Sequence, residues 1–183
     1  MKTFRIDGIN HDFVVFDTIG DGSCFIHSVL FSFNKEYRDL DHGGRRTMVS
    51  KLRSDLSEVL SEKTGEKTYY EKLSRGQIKE LSDVLPEMKL HHMQRYLKSR
   101  NWITMFYLEL ISDQLDIDII IIDEKTKKVY QTGDKEIYYK NRETVIINYI
   151  EDAHFESIGV KVGKRAVTLF SPECELIVKL KKM

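Results

Sequence analysis

Hydrophobic and polar positions follow one kind of periodicity in the first two thirds of the chain and another in the last third. Phe4 to Ile6 and Phe13 to Phe16 are short β-prone runs around Asp7-Gly8, and Gly20-Asp21-Gly22-Ser23 then halts any strand. From Cys24 onward, Phe25, Ile26, Val29, Leu30 and Phe33 recur at helical spacing, which places Cys24 in the first turn of a mostly buried helix. Met48, Val49, Leu52, Leu56, Val59 and Leu60 form a second stripe, which Gly65 ends. Ser74 to Gln77 has capping-box spacing ahead of Ile78, Leu81 and Leu85, so a third helix is expected to start near residue 75. Pro86 can open a fourth, with Leu90, Met93 and Leu97 on one side. A fifth is expected from about Thr104 to Leu115 with Phe106, Leu110 and Ile111 inward, and Asn101-Trp102 is the joint between these two.

Beyond Leu115 the pattern turns to strands. Ile117 to Ile122 is a near-continuous β-branched run, the mark of a strand covered on both faces. Val129-Tyr130, Thr144 to Ile150, Phe155 to Val162, Ala166 to Phe170 and Leu176 to Leu180 are further strand candidates, bounded by Gly, Asn, Asp or Pro. Helices first and a meander afterwards make an α/β (α+β) chain, with one domain expected over residues 1–183. No internal repeat, low-complexity tract or linker interrupts it, and Lys179 to Lys182 reads as a solvated end.

Charge narrows the function classes. Twenty-nine basic and twenty-nine acidic residues cancel, which removes the electrostatic excess of a general nucleic-acid or membrane-surface binder. The first ten residues carry Lys2, Arg5 and Asp7 without an apolar run, so neither a signal peptide nor a membrane helix is expected, and a cytoplasmic monomer is. Two cysteines are too few for a disulfide framework. Cys174, in a polar turn, reads as an inert thiol. The neighbours His91 and His92 point about 100 degrees apart on a helix and read as a solvated pair rather than a metal site.

Cys24 is different. A thiol at a helix start faces unpaired N–H groups and the positive end of the dipole, both of which favour thiolate. The loop Asp21-Gly22-Ser23, whose glycine admits unusual backbone angles, can aim N–H groups beside the sulfur as an oxyanion hole. His154 starts a strand after a polar turn and is a candidate general base, an arrangement expected of a cysteine hydrolase. Glu156, two residues on, shares its sheet face and can orient the imidazole. Asp152 and Asp21 compete for that role.

Gly20-Asp21-Gly22-Ser23-Cys24-Phe25-Ile26-His27-Ser28 resembles the Cys-loop of ovarian tumour (OTU) deubiquitinases, whose pattern is Asp-Gly-Asn-Cys-Leu-Phe-Arg-Ala. His154-Phe155-Glu156-Ser157-Ile158 is similar to that family's His-Tyr-Asp/Glu/Asn-Ser-Val box, and Trp102 with Leu108-Glu109-Leu110 resembles its Trp-Gly-x-x-x-Glu-Leu segment. The three blocks come in the family's order over residues 20–158. The resemblance implies a papain-like fold with a central, mostly antiparallel sheet packed between helices. It also implies cleavage of isopeptide bonds after the ubiquitin C-terminal Gly-Gly through an acyl-thioester, with no metal or organic cofactor. The partners implied are ubiquitin, polyubiquitin chains and ubiquitinated proteins, and the substrate side would involve Trp102, Ile103 and Phe155. Ser23 stands where the family has Asn, His27 where it has Arg, and Ile103 where a Gly often follows the Trp; Ile103 is expected to narrow the channel for the ubiquitin tail or to move that loop.

Overall fold

The computed structural model describes residues 2–6, 8–133, 141–150 and 154–183. A hairpin comes first, β1 (Lys2–Ile6) and β2 (Ile9–Phe16), and Gly8 near its turn has a φ of +80° that a side chain would resist. Helices follow: α1 (Cys24–Phe33), α2 (Lys35–Asp39) and α3 (His42–Val59). Asp41 accepts a hydrogen bond from Gly44 N–H at 2.7 Å, so α3 starts at His42, well ahead of its apolar stripe. A small ribbon, β3 (Lys63–Thr64) and β4 (Lys67–Thr68), leads into α4 (Tyr69–Lys72), α5 (Gln77–Leu81), α6 (Leu90–Lys98) and α7 (Leu108–Leu115). The remaining strands are β5 (Asp118–Asp123), β6 (Val129–Gln131), β7 (Thr144–Ile150), β8 (His154–Val162), β9 (Arg165–Val167) and β10 (Leu169–Phe170), before α8 (Glu175–Leu180).

The main sheet runs β1-β2-β8-β7-β5-β6, with β9 beside β8 and β10 beside β7. Its pairings are antiparallel except β5 with β7, which is parallel. The expected mostly antiparallel sheet is therefore present, but it is not a meander, because β5 lies between β6 and β7, so that β7 pairs with β5 rather than with β6. Alternation along β5 explains its unbroken isoleucines: Ile119 and Ile121 join the core under α1, α3, α6 and α7, while Ile120 and Ile122 join a second core on the other face. Among the described residues no helix is long and apolar enough to cross a membrane.

The second core corrects the reading of the last apolar run. Leu176 to Leu180 is helical, and Leu176, Ile177 and Leu180 bury themselves against the sheet while Val178 is 38% exposed. A strand would have put Leu176, Val178 and Leu180 on one face; spacing of one and four residues suits a helix, and so short a run cannot decide by periodicity alone. Ala166 to Phe170 is broken at Thr168 into β9 and β10, which pair with different strands. Phe106 is 42% exposed rather than inward. The expected cap at Ser74 is absent: Ser74 and Arg75 have positive φ, and α5 starts after Gly76 with no side-chain cap. The capping box sits at Thr68 and Glu71 instead, where the Thr68 N–H and Lys79 hold the Glu71 carboxyl down to about 2.

Candidate active site

The segment from Phe16 to Cys24 carries the chain from the sheet to α1. Cys24 is the first residue of that helix and is buried. The turn before it is held by its own groups. Asp21 Oδ1 accepts from the Ser23 N–H at 2.8 Å, the Asp21 carbonyl accepts from the Cys24 N–H at 3.0 Å, and the Asp21 N–H donates to the Ile19 carbonyl. The Asp21, Ser23 and Cys24 amides thus have acceptors within the chain, and an oxyanion hole built from the whole loop is not what the structure holds. Among the described residues no acceptor faces the Gly22 N–H.

Gly22 is required for space rather than for unusual backbone angles. A Cβ built there would lie 1.8 Å from the Arg100 carbonyl oxygen, and its φ is outside the left-handed region. Arg53 of α3 bolts the two segments together. Its guanidinium, almost wholly buried, donates to the Gly22 carbonyl (3.2 Å), Ser23 Oγ (2.8 Å) and the carbonyls of Tyr96, Leu97 and Asn101 (3.2, 2.7 and 2.9 Å). Burial draws its pKa down, yet five acceptors satisfy the charge without a carboxylate hydrogen bond among the described residues.

The other half of the site comes from β8, which lies between β2 and β7 and packs under α1. Thr18 Oγ and Ser28 Oγ both donate to the Phe155 carbonyl, at 2.6 and 2.7 Å, and the Phe155 N–H hydrogen-bonds the Cys24 sulfur. The residue following His154 is thereby set against the thiol. The His154 ring is partly exposed, and its Cε1 would lie 3.8 Å from a Cβ at Gly20. Burial pushes the Cys24 thiol up; the N–H groups of Phe155, Phe25 and Cys24 itself draw it down, and the Asp21 charge raises it. The balance is upward, with burial the largest cause.

Three carboxylates lie in range of these groups. An Asp17 oxygen, a Glu156 oxygen and a His154 ring nitrogen lie within 4.8 Å of one another; Asp17 Oδ1 is 3.9 Å from His154 Nε2. Glu156 is 8% exposed with Lys2 Nζ at 3.6 Å, whereas the Asp17 side chain is 92% exposed. Asp21 faces away from His154: its Oδ2 is 3.5 Å from His27 Nε2 and 3.7 Å from Arg46 Nε. Asp152 lies outside the described residues. Asp17 had no local signal in the sequence; only the pairing of β2 with β8 brings it here.

The architecture that brings these groups together is shared with solved structures. The chain is similar to an OTU domain solved in complex with ubiquitin, with a TM-score of 0.63 at 15% identity over 98% of this chain and 87% of that one. The fold is that of an OTU domain. The OTU domain protease from Taggert virus superposes with a TM-score of 0.55 at 11% identity, covering 91% of this chain and 88% of its own. An OTU deubiquitinase from Wolbachia pipientis wMel gives 0.50 at 15% identity, over 83% and 93%. No protein-family model matches the chain, and no curated protein matches it in sequence.

Within this OTU fold the substrate-side residues divide. Trp102 is 47% exposed at the joint between α6 and the turn before α7, so it does not fill the core. Ile103 is buried in the larger core, so its side chain packs inward and does not narrow a channel. Phe155 is half-buried, edge-on to Phe25 at 5.1 Å and tilted against Tyr149 at 4.9 Å, so its ring is largely packing and its backbone faces the thiol. Cys174 is half-buried against the second core.

Proposed function

We propose that this protein is a cysteine-type deubiquitinase that hydrolyses isopeptide bonds after the ubiquitin C-terminal Gly-Gly. What supports this most is the OTU fold, in which Cys24 starts a helix and the backbone of Phe155, the residue after His154, is drawn against its thiol. A thiol whose pKa is drawn upward by burial gives up its proton to a base, and in this reading His154 is that base. Cys24 Sγ attacks the glycine carbonyl carbon as its proton passes to His154. The tetrahedral oxyanion then collapses, the C–N bond breaks, and the imidazolium returns the proton to the departing lysine amine. Water, giving a proton to His154, attacks the acyl-thioester, and release of the ubiquitin carboxylate restores the thiol.

Ubiquitin bearing a C-terminal electrophile tests the reading directly. A covalent adduct on Cys24, located by mass spectrometry, is the expected result. Saturable binding without an adduct would instead make the chain a non-catalytic ubiquitin-binding module, and neither binding nor adduct would point to another modifier.

Glu156 is the orienting carboxylate in this reading. It is nearly buried, fixed by the strand, and on the histidine's side of the sheet, whereas Asp17, 3.9 Å from His154 Nε2, is almost fully exposed and its interaction is screened by solvent. Glu156→Gln is expected to lower kcat by about 10²-fold with KM little changed, and Asp17→Asn by less than about tenfold. A fluorogenic ubiquitin substrate reads both, and a larger loss for Asp17→Asn would reverse the assignment.

A further inference from the structure

His27 is wholly buried on α1, one turn after Cys24, and the catalytic scheme above does not use it. Its Nδ1 is 2.7 Å from the hydroxyl of Tyr37, itself buried on α2. Burial pushes the Tyr37 hydroxyl up to about 12 and pulls the imidazole down, so a neutral phenol meets a neutral ring. A neutral imidazole carries one hydrogen. If it sat on Nδ1, the bare Nε2 lone pair would face the Asp21 carboxylate at 3.5 Å, which is repulsive. The consistent arrangement has Tyr37 O–H donating to Nδ1 and Nε2–H turned toward Asp21 Oδ2, an electrostatic contact at 3.5 Å that falls short of a hydrogen bond. The other oxygen, Oδ1, holds the Ser23 amide. Arg46, half in solvent, is the cation in reach of Oδ2, at 3.7 Å.

We propose that His27 is a positioning residue for the reaction: anchored by Tyr37, it fixes the Asp21 carboxylate that shapes the 21–24 turn, and so keeps the Gly22 amide available to the developing oxyanion. This rests on the deubiquitinase reading. It gives Asp21 a part unlike that of an orienting carboxylate, since the group His27 holds faces away from His154. A histidine that merely filled the core would have no reason to point its second nitrogen at the loop that carries the nucleophile.

The test compares His27→Leu, His27→Gln and Tyr37→Phe in the full chain, by kcat and KM on a fluorogenic ubiquitin substrate and by the rate of Cys24 alkylation with iodoacetamide. Alkylation needs the thiolate but no oxyanion hole, so the two readouts separate the roles. His27→Leu is expected to lower kcat by about 10²-fold, the scale for losing one oxyanion donor, with KM within about twofold and alkylation within about threefold. His27→Gln, whose amide N–H can reach Asp21, is expected to recover about tenfold of that loss. Unchanged kcat in folded His27→Leu, alkylation falling in step with kcat, or no recovery with Gln would each overturn the proposal. If His27→Leu does not fold, Tyr37→Phe decides: a kcat loss of about tenfold supports it and an unchanged kcat overturns it. A wild-type protein that never turns over the substrate fails before any variant is made, and that failure belongs to the deubiquitinase reading and removes this proposal with it.

Discussion

Cys24→Ala is expected to abolish ubiquitin cleavage while barely moving the thermal midpoint. Removal of a hydrolase nucleophile costs on the order of 10⁶-fold in kcat, because the remaining groups act only through it. The cost in stability is of another order. The sulfur is buried, but its loss removes one small apolar group worth about 1 kcal/mol, which for a chain of this size is a shift of about 2–4 °C. Cys174→Ser is the contrast: that thiol packs at the start of α8, against the second core and away from the helices that carry Cys24, and near-normal turnover is expected. Cleavage surviving in Cys24→Ala, measured beside intact folding by circular dichroism, would remove the mechanism altogether.

Gly22→Ala is expected to be among the most damaging single methyl groups the chain can acquire. The new Cβ would stand 1.8 Å from the Arg100 carbonyl oxygen and 2.8 Å from its carbon, main-chain atoms that cannot rotate aside. The two segments cannot simply part, because Arg53 holds the Gly22 carbonyl on one side and the Tyr96, Leu97 and Asn101 carbonyls on the other. Separation would strip hydrogen bonds from a buried guanidinium, at about 1.5–3 kcal/mol for each bond to a charged group. A loss of roughly 3–5 kcal/mol follows, about 6–20 °C in midpoint, together with loss of ubiquitin cleavage as the turn before Cys24 shifts. Gly20→Ala, whose Cβ would meet only His154 Cε1 at 3.8 Å, is expected to move the midpoint by less than about 2 °C. Thermal melts of the two variants side by side check this, and equal midpoints would mean the turn has slack that the contact distances deny.

How far the sequence could be read depended on the range of the interaction behind each feature. The stripes of α1 and α3 and the isoleucines of β5 report burial directly, and the structure places them as periodicity predicts. Cys24 and His154 stood out because each begins an element after a polar turn, where side chains meet clefts. Arg53 was readable and missed: Val49, Arg53, Leu56 and Leu60 fall on one helical stripe, and a charge in that company must find acceptors elsewhere in the fold. Thr68-Tyr69-Tyr70-Glu71 was equally plain as a capping box, but Ser74 drew attention to a turn of positive φ. Asp17 and the His27 to Tyr37 contact carry no such signal. Each depends on packing between elements that periodicity detects singly and does not assemble.

The sheet imposes an order of assembly on the protein. β2, which precedes the helices, has its central partner in β8, more than 130 residues later, with Phe13 opposite Val160 and Phe16 opposite Ser157. Contacts of such separation form slowly, since a long loop must close before they repay it. On a ribosome the thiol-bearing helix is therefore synthesised long before the strand that carries His154, and the emerging chain carries an open edge on β2. Any chemistry that needs both Cys24 and His154 must therefore wait until the later strands have been made and have closed on β2.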